Sequence, residues 1–174
     1  MAYVLPSPAA FTALSAADRG TALTHLFEDS AALRALVVPL FDGASSYDDV
    51  IDRTRVALTD LAAAAAPGTD AQARLFEILA AHPRLGARKV ESVHSQAEQA
   101  SLQGEGEALA ALNAEYEAAF PGLRYVVFVN GRPRDVIMAN MRARIDRGAF
   151  DLEVAEAIDA MCAIAGDRAR KLGA

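Results

Sequence analysis

Only one passage of this chain has the composition of a β-strand. Residues 125–129, YVVFV, are all β-branched or aromatic, and Asn130-Gly131 behind them is a turn pair. A strand needs a neighbour to take up its backbone hydrogen bonds, and no second passage among the 174 residues offers a convincing partner. The segment near 124–129 is therefore expected to run extended and buried among helices, and the chain to fold as an all-α bundle.

Helix starts and stops fill the rest. Ser7 before Pro8 and Ser15 before AADRG can cap two short helices within 8–27, and Ser30 can cap a third whose Pro39 falls near its end. Val50, Thr54, Ala57 and Leu61 share one face of a long helix that Pro67-Gly68 closes. Asp70 begins another, with Leu75, Phe76 and Leu79 at helical spacing, and His82-Pro83 ends it. The stretch from Arg84 to His94 has no strong period and reads as a connector. Ser95 opens a helix that Gly104-Gly106 interrupts. Leu109, Leu112, Tyr116 and Phe120 mark the buried stripe of the next, and two helices follow, near 133–147 and 150–171. No linker or internal repeat divides the chain, so one domain over residues 1–174 with about eight helices is expected. The apolar fraction of 53% is swollen by alanine, the strongest helix former.

The net charge of −6 and the lack of a Lys/Arg cluster argue against nucleic acid and membrane surfaces as partners and favour a small molecule. Cys162 is the only cysteine, so no internal disulfide forms, and its apolar helical surroundings make it a small core side chain. With neither a basic-then-apolar leader nor a membrane-length apolar run, a cytoplasmic location is expected.

Several polar positions stand out, each with a local explanation beside a functional one. His82 sits where a helix ends, a place that favours a cation but also leaves a ring within reach of a ligand. Ser95-Gln96-Ala97-Glu98 is a capping box, which accounts for Ser95 and Glu98 yet also holds a carboxylate in a fixed orientation. His94, four residues before Glu98, could join it and His82 around a divalent metal, although Ser95 as the cap puts His94 outside the helix. Arg168 lies on the stripe of Val154, Ile158, Met161, Ala165 and Leu172, so it must snorkel to water or meet an anion. Arg144, beside the inner face of Ile137, Met141 and Ile145, poses the same question. His25, in TALTHLF, reads as a partly buried packing residue.

Taken in order, HPRLG at 82–86, S-x-x-E-Q at Ser95 to Gln99, L-N-x-x-Y at Leu112 to Tyr116 and the passage from Phe120 to Val127 resemble the 2-oxo-4-hydroxy-4-carboxy-5-ureidoimidazoline (OHCU) decarboxylases. The resemblance implies an all-helical homodimer that uses no metal and no organic cofactor. It implies His82 as the catalytic histidine with Glu98 as its carboxylate partner, and Pro83, Ser95 and Gln99 lining the pocket. Ile164 and Arg168 keep the Ile-to-Arg spacing of the family's late K-I-x-x-x-R phrase, which implies that Arg168 touches the ligand, and Val127 would contribute a backbone contact. The expected activity is cofactor-independent decarboxylation of OHCU to (S)-allantoin in urate breakdown. Its rivals are a non-catalytic helical protein binding a ureide or a protein, and a divalent-metal hydrolase built on His82, His94 and Glu98.

Overall fold

The computed structural model describes residues 3–86, 94 and 106–174. Seven α-helices run through them in the order α1 (Ala16–Leu26), α2 (Ala31–Val37), α3 (Tyr47–Ala64), α4 (Asp70–Leu79), α5 (Gly106–Ala119), α6 (Arg134–Arg147) and α7 (Phe150–Lys171). Two 3-10 helices, Pro8–Ala13 and Val38–Phe41, accompany them, His94 is also helical, and there is no strand among the described residues. The all-α expectation holds.

Hydroxyl caps set four of the starts. The side chains of Ser15, Ser30, Ser46 and Thr69 each accept from the amide three residues on, satisfying a donor that the helix itself leaves open. Ser7 behaves differently from the expectation: its side chain makes no cap bond, and its carbonyl accepts from the amide of Ala10 at 2.9 Å, opening a 3-10 helix rather than an α-helix. Pro39 lacks an amide hydrogen, and the chain tightens from α2 into the second 3-10 helix just before it.

α7, at 22 residues the longest helix, packs along α3, with α1 and α4 also against it. Its buried face includes Val154, Ile158, Met161, Ala165 and Arg168, the stripe read from the sequence. Phe11, Phe41 and Tyr47 meet edge to face beneath α3, with Phe11 5.2 Å from Phe41 and 4.9 Å from Tyr47 between ring centroids. Rings buried to this degree contribute roughly 1.5–3 kcal/mol each. None of the helices in the described residues is long and apolar enough to cross a membrane.

Residues 123–129 form neither helix nor strand. Side chains replace the missing ladder. Arg144 Nη1 donates to the Val126 carbonyl at 3.1 Å, and Arg132 donates from Nη2 to Phe128 O at 2.5 Å and from Nε to Val129 O at 3.2 Å. Asn130 and Gly131 adopt positive φ of 47° and 70°, and Arg132 N closes the turn on Val129 O at 2.9 Å. The turn pair thus has its hairpin conformation, but it delivers the chain into α6 instead of a second strand.

Candidate functional site

HPRLG follows α4 and is moored at several points. His82 is 5% exposed with Nε2 shut away from solvent, and its carbonyl accepts from Arg124 at 3.3 Å. Arg84 clasps Glu117 through both carboxylate oxygens at 2.6 and 2.8 Å, and Asn113 Nδ2 donates to the Leu85 carbonyl at 3.0 Å. Gly86 adopts φ 72°, and a Cβ there would stand 2.7 Å from Leu109 Cδ2. Leu109, Asn113 and Glu117 recur every four residues, so one face of α5 holds the passage from Arg84 to Gly86. Pro83 is half-buried, as is Val127 in the 123–129 segment.

Arg168 is buried to 1% exposure and meets an anion rather than snorkelling. Its Nη2 lies 2.9 Å from Glu28 Oε1, and Nη1 donates to the carbonyls of Leu26 and Phe27 at 3.5 and 3.4 Å. Glu28 follows α1, so the arginine is anchored to the exit of that helix. One turn earlier, His25 Nδ1 lies 3.0 Å from His94 Nε2, and Tyr3 stacks on the His25 ring at 3.8 Å. Burial pushes the His25 imidazole below its ordinary value, and the nearby His94 and Arg168 push it the same way. His25 is therefore more than a packing residue. His94 is itself helical, whereas the capping-box reading puts it outside a helix.

Arg144 answers its own question within the core. It pairs with the wholly buried Glu153 at 2.8 Å and with Glu156 at 3.1 Å, and its guanidinium stands 4.8 Å from the Tyr125 ring centroid. Tyr116 donates to Glu153 at 2.5 Å, and Arg147 adds a third donor at 2.7 Å. Burial pushes Glu153 up, but these hydrogen bonds outweigh it and hold the carboxyl below its ordinary range. Asn113 and Tyr116, the polar residues of the L-N-x-x-Y phrase, are thus both committed to internal partners.

Ser95, Glu98 and Gln99 lie outside the described residues. No group of three or more His, Cys, Asp or Glu side chains is gathered as a metal site among the described residues. A cleft of about 510 Å³ opens between α3, α4 and α7, floored by Leu75, Phe76, Val154 and Ile158, and none of the candidate catalytic or substrate-binding residues read from the sequence lines it.

The family model described as OHCU decarboxylase matches residues 12–170, nearly the whole chain. The chain belongs to the OHCU decarboxylase family. No curated protein matches it individually. Membership in the OHCU decarboxylase family supports a decarboxylase role in purine catabolism and points to a small ureidoimidazoline as substrate. The matched span runs from before α1 to the last turn of α7, so it includes His25, Glu28, His82 and Arg168. Sequence reasoning missed Glu28 and the partnership of His25 with His94. The signal for Glu28 was the arginine on an apolar stripe, which requires an anion but does not say where in the chain to find it.

Proposed function

We propose that this protein is a carboxy-lyase that converts OHCU to (S)-allantoin without a metal or organic cofactor. Loss of CO2 breaks the bond between the carboxylate and the ring carbon that also carries the hydroxyl. The released electron pair forms a double bond to the adjacent ureido-bearing carbon, and the electrons of that carbon's C=N bond pass to the ring nitrogen, which takes up a proton. As the hydroxyl then loses its proton and its carbon becomes the ring carbonyl, a second proton delivered to one face of the ureido-bearing carbon sets the configuration. His82 is assigned as the group that handles this proton, with Glu98 orienting its ring or the ureido group and Arg168 neutralising charge that develops on the ring. Pro83, Ser95, Gln99 and the backbone of Val127 are assigned to the walls. A homodimer in the cytoplasm, each chain one domain over 1–174, completes the reading.

The match over residues 12–170 carries this proposal. The burial of His82 and Arg168 is consistent with it, because a polar group screened from water acts more strongly on developing charge. The test is to incubate freshly generated OHCU with the protein while following CO2 release and product chirality. Turnover to the (S) enantiomer is expected, with His82→Ala losing about 10²- to 10⁴-fold in kcat while its circular dichroism is retained. No acceleration by the intact protein would favour a ureide-binding protein without catalysis. Normal turnover by His82→Ala would remove that residue from its assigned role.

A further inference from the structure

The exit of α1 supplies the anchors for Arg168 and for His94, two positions far apart in the sequence. Glu28 is 8% exposed and Arg168 1%, so their contact at 2.9 Å is made out of water. The carbonyls of Leu26 and Phe27 stand at the negative end of the α1 dipole and accept from the other terminal nitrogen of the same guanidinium. Acceptors on both terminal nitrogens fix the plane of the group as well as its location. A purely structural role explains this poorly. A buried ion pair replaced by apolar side chains of similar volume is often neutral or stabilising, so burial alone does not call for charge here. The same helix end also binds His94 through His25 at 3.0 Å, and His94 directly precedes Ser95 in the chain.

We infer that Glu28 is a positioning residue for ligand binding, acting through Arg168. Glu28 holds the guanidinium against the end of α1, so that a substrate anion or carbonyl meets a cation whose orientation is already set. This rests on the reading above, in which Arg168 touches the ligand.

The experiment is a double-mutant cycle with Glu28→Gln, Arg168→Met and the combination, read as kcat and KM on OHCU and as the affinity for (S)-allantoin by calorimetry. Arg168→Met is expected to weaken binding strongly. Glu28→Gln keeps an accepting oxygen but loses the charge, and is expected to raise KM about tenfold with a smaller effect on kcat, as befits a charge-assisted hydrogen bond lost at one remove. In the Arg168→Met background, Glu28→Gln should change neither KM nor the allantoin affinity further. Urea denaturation run alongside reports stability separately. If Glu28→Gln lowers the urea midpoint but leaves KM and affinity at wild-type values, the positioning role is overturned and the pair is structural. Effects that multiply in the double variant overturn it too, because Glu28 then acts by a route other than Arg168. If Arg168→Met itself binds allantoin and turns over OHCU normally, the fault lies in the assignment of Arg168 to the ligand, and the role of Glu28 falls with it.

Discussion

His25 Nδ1 and His94 Nε2 stand 3.0 Å apart although the two residues are 69 positions distant in the chain. One ring must donate and the other accept, so the bond requires at least one neutral imidazole. Tyr3, stacked on His25 at an interplanar angle of 5°, covers one face of the pair, and Arg168 adds positive charge nearby.

Stability should therefore fall in acid through this pair. His25 titrates lower when folded than the ordinary value of 6.5, so between the two values the unfolded chain binds more protons. Its contribution is fully present above about pH 6.5 and is lost as the pH falls toward the folded value. Urea midpoints at about pH 7.5 and pH 5.5 should differ more for the wild type than for His25→Gln, which cannot take up the proton. Equal losses in both proteins would assign the acid sensitivity to other groups.

Glu153 is wholly buried and serves Arg144, Arg147 and Tyr116 together. Glu153→Ala is expected to cost about 3–5 kcal/mol, since it leaves the Arg144 guanidinium buried without its main counter-ion. Arg144→Met combined with Glu153→Leu should recover most of that loss, although the Val126 carbonyl then lacks its donor. Chemical denaturation of the wild type and the two variants measures both statements, and an unchanged midpoint in Glu153→Ala would contradict the first.

Gly86 and Gly68 separate backbone strain from a side-chain clash. Both adopt positive φ, 72° and 77°, but only at Gly86 would a Cβ meet a neighbour, Leu109 Cδ2 at 2.7 Å. An alanine at either site incurs the left-handed penalty, of order 1–3 kcal/mol. Thermal melts should show Gly86→Ala as the more damaging, and Leu109→Ala in that background should recover part of the difference. Equal melting temperatures for the two glycine variants would show that Leu109 moves aside freely.

Cys162 is 2% exposed, and burial pushes its thiol up to about 11. The thiolate is the reactive form, so a thiol-specific disulfide reagent at about pH 8 should react very slowly with the folded protein and rapidly in urea. Fast labelling under native conditions would mean that α7 opens locally.

The all-α architecture was legible in the sequence because its determinants are local. Ser15 and Ser30 cap the amides beside them, apolar residues repeat at helical spacing, and one lone strand-like passage cannot build a sheet. HPRLG was legible as a helix exit, and Arg168 as a charge on an apolar face, for the same reason. What lay beyond the sequence was the partner of each polar group. Glu28 reaches Arg168 across 140 positions, His25 reaches His94 across 69, and Arg144 draws Glu153 from the following helix while pinning the carbonyl of Val126. Periodicity states that a buried charge needs a counter-charge, but several acidic residues could meet that need equally well in sequence terms. Only the packing of α1 against α7 selects Glu28, because electrostatic and hydrogen-bonding terms act over a few ångströms of space and are indifferent to distance along the chain.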